Sequence, residues 1–128
     1  MRGRYDNWVN CKDDLLASGY KLEQSREVLY GKLYSDNYSK GNHLNILLNY
    51  GPDWCDMVCR INYSGKPESD CWKDLAGTIP TAYEVTKSEI PLVDRDSFME
   101  IVCRYEYDQL EAEFRKLEIE STLDALDG

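Results

Sequence analysis

Histidine is nearly missing from this chain: His43 is the only one among 128 residues. Imidazole chemistry therefore has a single seat. Nucleophilic catalysis would need a cysteine or serine beside His43 and a third group to orient the ring, and no recognisable signature surrounds any such set. His43 follows Gly41-Asn42 at the entry to a strand-like run, where a surface or capping role is expected. Long apolar runs are also absent. None approaches the roughly 20 residues of a membrane span, and the first residues, Met-Arg-Gly-Arg-Tyr-Asp-Asn-Trp, lack the apolar core of a secretory signal. The expectation is a cytoplasmic protein with no membrane contact. Cations are scarce, with 15 Lys and Arg against 24 Asp and Glu and a net charge of −9, which disfavours direct binding to nucleic acid or anionic lipid.

The cysteines are odd in number and irregular in spacing. Cys11, Cys55, Cys59, Cys71 and Cys103 read as reduced thiols in a chain long enough to build its own core. Cys55 and Cys59 fall on the apolar side of an alternating strand and lack the knuckle spacing of a structural zinc site, so buried thiols are expected even with Cys71 and His43 in the same half of the sequence. Asp94-Arg95-Asp96 lacks the later Gly and Glu of a calcium loop and suits a helix start. The close acidic pairs Asp13/Asp14, Glu111/Glu113 and Glu118/Glu120 suit solvated charge better than catalysis, since helical neighbours two apart point about 200° away from each other. No cofactor and no metal are expected.

What is present points to one α+β domain spanning residues 1–128. Residues 4–18 carry Tyr5, Trp8, Val9, Lys12, Leu15 and Leu16 at helical spacing, ending at Ser18-Gly19. Residues 22–35 repeat the pattern weakly through Leu22, Leu29 and Leu33, with Gly31 against it, and 36–42 read as a loop. This helix pair has the outline of a helix-turn-helix, but only Lys21, Arg26 and Lys32 are there to meet phosphates. Residues 43–50 and 55–63 form a hairpin about Gly51-Pro52-Asp53, the second strand alternating Cys55, Met57, Cys59 and Ile61 against Asp56, Val58, Arg60 and Asn62; a helical reading through Trp54, Met57, Val58 and Ile61 competes with it. Residues 69–76 suit a short helical turn with Trp72 and Leu75 inward, closed by Gly77. Pro80 and Pro91 leave 82–86 at most an edge strand. Ser97-Phe98-Met99-Glu100 has the form of a capping box, and from there to Leu126 no Gly or Pro intervenes, so one helix of about 40 Å is expected. The predicted fold is two N-terminal helices, a small antiparallel sheet and a long C-terminal helix.

The charge is unevenly placed. Residues 1–64 are balanced, whereas 94–128 hold eleven acidic groups against four basic ones. In that stretch Cys103, Tyr107, Leu110, Phe114 and Leu117 narrow to a seam, suited to a groove in the same fold, on a partner, or on a second copy. The chain is also rich in tyrosine, with ten Tyr against two Phe, a composition typical of contact surfaces. These features predict an acidic protein-interaction module: an inhibitor or antitoxin-like protein that binds the basic surface of a nucleic-acid-handling protein, possessing the size and charge common among anti-CRISPR and anti-restriction blockers, some of which mimic nucleic acid. The residues expected to meet the partner are Tyr105, Glu106, Tyr107, Glu111, Glu113, Glu118, Glu120 and Asp124. A self-associating adaptor pairing through the 103–117 seam, and a small cytosolic enzyme with a pocket near Cys55, Cys71 or His43, are the alternatives.

Overall fold

The computed structural model describes residues 4–29, 31–62, 64, 72–78 and 92–127, with the side chains of 29 and 121–127 outside the description. The order is a short 3-10 turn (Arg4–Asp6), α1 (Trp8–Ala17), β1 (Lys21–Leu29), β2 (Leu33–Lys40), β3 (Leu44–Tyr50), β4 (Cys55–Asn62), β5 (Trp72–Thr78), β6 (Leu92–Val93), α2 (Arg95–Arg104) and α3 (Tyr107–Asp127). The six strands lie in one sheet in sequence order. Neighbours are antiparallel from β1 to β5, and β6 runs parallel to β5.

The first helix and the central hairpin form where periodicity places them. Asn7 caps α1 by accepting from the Val9 amide at 2.8 Å, and Gly19 leaves the helix at φ +101°, a value that suits glycine. β3 and β4 pair about Gly51, so that Leu44, Ile46, Leu48 and Tyr50 share a face with Cys55, Met57, Cys59 and Ile61. All eight are buried.

The expected arrangement of two N-terminal helices, a small antiparallel sheet and one long C-terminal helix is overturned in three places. Residues 22–35 are not a second helix: they enter a hairpin, β1 with β2, turning at Gly31 with φ +75°. The glycine that weakened the helical reading is the turn. Tyr34, Asp36 and Tyr38 then alternate toward the helices, a period of two inside a stretch that its polar composition made look like a loop. Residues 72–78 are likewise a strand, β5, in which Gly77 lies opposite Val58 and closes no helix. β4 would otherwise expose a row of unpaired backbone groups, and pairing it outweighs the weak helical spacing of Trp72 and Leu75. The sheet is therefore larger than expected, and mixed. The expected edge strand at 82–86 lies outside the described residues.

The third correction is the C-terminal helix, which bends sharply without Gly or Pro. Tyr105 is extended at φ −105°, ψ 149°, and separates α2 from α3. The Glu106 amide donates to Gln109 Oε1 at 3.2 Å, which satisfies one of the amides exposed by the new helix start. The bend lets two apolar faces meet: Phe98 of α2 and Phe114 of α3 tilt together with centroids 5.9 Å apart, both fully buried. Cys11 and Leu15 of α1, Phe98, Met99 and Val102 of α2, and Leu110 and Phe114 of α3 make a single cluster with the inward side chains of β2 to β4. The helices thus all pack on one face of the sheet.

The start of α2 also lies three residues earlier than the capping-box pattern implies. Asp94 is the cap, accepting from the Ser97 amide and the Ser97 hydroxyl, each at 2.9 Å. The bond from the Ser97 backbone holds the Asp94 carboxyl below the usual carboxylate range, against a smaller opposing effect of burial. A depressed carboxyl pKa contributes stability that is present above the unfolded-state value of about 3.9 and is lost as pH falls through the folded value. Asp94→Ala is expected to cost about 1 kcal/mol at neutral pH, read from urea midpoints. The difference from the parent chain should shrink below about pH 4, and a constant difference down to pH 2 would refute the assignment.

Candidate functional site

Among the described residues, two surfaces stand out for chemistry that the core does not consume. The first is the acidic C-terminal segment. Its seam is turned inward, with Leu110 and Phe114 at 0% exposure and Leu117 packed against the core. Leu110 and Phe114, the centre of the 103–117 seam expected to pair with a groove or a second copy, are thus packed in the chain's own core.

The two expected tyrosines are also engaged. Tyr105 caps α2 and is half-buried, and the Tyr107 ring lies 4.5 Å from that of His43. Glu106 is bound to Lys40 Nζ at 3.0 Å, and Glu111 to Arg115 at 2.8 Å. Glu113 is half-buried on α3, while Glu118 and Glu120 are exposed beside Ile119, itself 61% exposed. Asp124 belongs to α3, but its side chain lies outside the described residues. The other tyrosines among the described residues fare as Tyr105 and Tyr107 do. Tyr20, Tyr38 and Tyr50 are core residues, and Tyr5 and Tyr34 pack against the core. Among the described residues, the tyrosines that suggested a contact surface are in large part interior.

The remaining sequence candidates resolve into structure. His43 Nδ1 contacts the Asn62 carbonyl at 2.6 Å, as a residue at a strand entry does. Cys11, Cys55 and Cys59 are wholly buried, and Cys103 is half-buried. Burial alone pushes the Cys59 thiol up to about 12, and hydrogen bonding to Cys55 followed by burial raises Cys11 further. Such thiols are poor nucleophiles. Cys71 lies outside the described residues. Among the described residues, no group of three or more His, Cys, Asp or Glu is placed to hold a metal ion, and no helix is long and apolar enough to cross a membrane.

The second surface went unnoticed in the sequence. On the sheet face turned away from the helices, register aligns Ser39, Asn45, Arg60 and Asp74 in one row across β2, β3, β4 and β5. A bulge between Cys59 and Arg60 in the β4–β5 ladder makes this row possible. Ala76 pairs with Cys59 on the core side, whereas Asp74, two residues back, pairs with Arg60 on the other. The extra residue, Leu75, reverses the facing of the strand before it and brings Trp72 opposite Asn62 on the same outer face.

A hollow of about 440 Å³ opens over that row, walled by Glu23, Asn37, Ser39, Asn45, Arg60 and Trp72. Asn45 is only 6% exposed. Its Nδ2 donates to the Tyr38 carbonyl at 3.0 Å and to Asn37 Oδ1, which fixes the amide and leaves Asn45 Oδ1 buried without a donor. Arg60 Nε is buried without a hydrogen-bond acceptor, the Asp74 carboxylate lying 3.5 Å away but outside hydrogen-bond geometry. Ser39 Oγ donates to Glu23 Oε1 at 2.6 Å at the rim. One clue to this site is legible in the sequence: the polar alternates Asn45 and Asn49 in β3 and Asp56, Arg60 and Asn62 in β4, in two strands whose other residues are apolar. The bulge that adds Trp72 and Asp74 leaves no such clue. Comparison of the chain with protein-family models, with curated proteins and with solved structures finds no match.

Proposed function

We propose that this protein is an acidic interaction module that binds a basic surface on a partner protein, with an inhibitor of a nucleic-acid-handling protein as the specific form. One observation carries the reading. Leu110 and Phe114 are locked into the core at 0% exposure, so α3 is a fixed rod on which Glu113 and Glu120, seven apart, flank the buried seam on one side and Glu118 flanks it on the other, in a segment with eleven acidic groups against four basic ones. Carboxylates held at helical spacing on a rigid support meet a basic groove without paying to order a flexible tail. Their field also accelerates encounter, an effect that weakens as salt rises. The partner face is narrower than the sequence suggests, because Glu106, Glu111, Tyr105 and Tyr107 hold internal contacts.

The test is a charge reversal. Glu113→Lys, Glu118→Lys and Glu120→Lys together should leave the fold intact, since Glu118 and Glu120 are exposed and Glu113 is half-buried. Captured from lysate at low salt, the parent chain should retain a basic nucleic-acid-handling protein that is released at high salt. The triple variant should bind the recovered partner at least about tenfold more weakly at low salt, chiefly through a slower association rate. Equal affinity of parent and variant would end the electrostatic reading.

A further inference from the structure

The hollow on the outer face of the sheet is independent of the acidic helix and has the features of a ligand site. We propose that it binds a neutral sugar ring. Buried polar atoms are nearly always hydrogen-bonded, yet Asn45 Oδ1 and Arg60 Nε, both on the wall of one hollow, have no such partner. One needs a donor and the other an acceptor. A hydroxyl group supplies both, and a ring carrying several hydroxyls can serve the two atoms from neighbouring positions. Water does the same when the site is empty, and a sugar hydroxyl takes over the position of each such water without loss of hydrogen bonds.

Charge and shape narrow the choice further. Arg60 is flanked by Asp74 at 3.5 Å, and Glu23 forms part of the rim. A phosphate or carboxylate ligand would face two carboxylates for one guanidinium, whereas a neutral ligand faces no such repulsion. Trp72 is half-buried and is the one aromatic wall among the described residues of the hollow, whose other walls are short and polar: Asn37, Ser39, Gly41, Asn42 and Asn45. A nucleobase has two apolar faces to cover and would leave one against amides. A pyranose can lay one face of C–H groups on a single indole while its rim of hydroxyls meets amides, Arg60 and Glu23. The volume of about 440 Å³ lies in the lower part of the range of about 300–1,000 Å³ for small-molecule sites.

The experiment is a titration of the full chain, followed by nitrogen–proton NMR, with glucose, galactose, mannose and N-acetylglucosamine as probes and with uridine and inorganic phosphate as comparators. At least one sugar should saturably shift the Trp72 indole and the Asn45 and Arg60 resonances. Trp72→Ala and Arg60→Gln should each weaken that binding about tenfold or more while the spectrum stays dispersed. Asn45→Ala should do the same, but it also removes the bond to the Tyr38 carbonyl, so the first two variants decide if it fails to fold. The proposal is overturned if none of the four sugars shifts these resonances, if uridine or phosphate binds in preference to them, or if sugar binding survives both Trp72→Ala and Arg60→Gln unchanged. Because the Lys substitutions in α3 lie on the helix side of the sheet, they should leave sugar binding intact, which separates this proposal from the acidic-surface one.

Discussion

Phe114→Ala is expected to destabilise the protein by about 3–5 kcal/mol, the usual cost of emptying a fully buried aromatic site. Phe114 has no exposed surface, meets Phe98 at 5.9 Å, and joins Leu110 in the buried cluster. Removing the ring strips the main apolar contact that holds α3 against α2, and little can collapse into the space because Phe98, Met99 and Val102 are anchored by the opposite turn of the same core. Total stabilities run to about 5–15 kcal/mol, so the loss should lower the thermal midpoint by on the order of 10–20 °C. Glu120→Ala, on the exposed side of the same helix, should change stability by less than about 0.5 kcal/mol. Circular dichroism melts with urea titrations would measure both. A cost below about 1 kcal/mol for Phe114→Ala would mean that α3 is not docked as described, and the rigid acidic face would lose its support.

The second large effect concerns a carboxyl group inside the apolar cluster. Asp36 is 1% exposed, and it accepts from the Tyr38 hydroxyl at 3.0 Å, the Tyr50 hydroxyl at 3.2 Å and the Ser25 hydroxyl. The β1–β2 register places Ser25 directly opposite Asp36, and Trp8 stacks on Tyr50 at 4.2 Å to close the site from above. Asp36→Ala would leave two buried phenol donors unsatisfied at about 1–3 kcal/mol each, so a loss of about 2–5 kcal/mol is expected. The decisive measurement is a double-mutant cycle. With Asp36 present, Tyr38→Phe removes a hydrogen bond and destabilises; in the Asp36→Ala background the same change removes an unsatisfied donor and should restore part of the loss. If Tyr38→Phe is equally destabilising in both backgrounds, the pairing does not carry the energy assigned to it.

The same network predicts an alkaline limit. Burial, followed by the nearby Asp36 carboxylate, pushes Tyr38 and Tyr50 above the ordinary tyrosine range, and burial does the same for Tyr20. A raised folded-state value gives stability that is complete below the unfolded pKa of about 10 and is lost as pH rises through the folded value. The loss follows from ionisation of the unfolded chain at a pH where these three hydroxyls still hold their protons.

How much of this was legible beforehand depended on whether a residue's role was local. The α1 helix, the β3–β4 hairpin and the burial of Cys55 and Cys59 follow from spacing within a dozen residues, because a helix or strand must turn its apolar period toward a core. The hairpin at Gly31 was hidden because residues 33–40 alternate tyrosine with polar groups: Tyr38 and Asp36 are buried together, and a buried carboxyl group breaks the apolar pattern that marks a strand. The break at Tyr105 was hidden for another reason. Nothing in the local sequence opposes a continuous helix there, and the bend is favoured by the meeting of Phe98 and Phe114, sixteen positions apart. The acidic cluster is a fact of the sequence itself, whereas the ion pairs of Glu106 with Lys40 and of Glu111 with Arg115 are visible only in the structure.

Composition and periodicity by themselves determined that this chain mixes helix with sheet, where its acidity is concentrated, and which residues of the central hairpin face inward. These are consequences of nearest-neighbour chemistry and the hydrophobic effect. Tertiary structure alone decided that the C-terminal helix folds back on itself, that its seam is consumed internally, and that Asn45, Arg60, Asp74 and Trp72 share one outer face. That last outcome depends on one extra residue in β5, since side chains alternate with a period of two and a single insertion in the ladder exchanges the faces of everything before it.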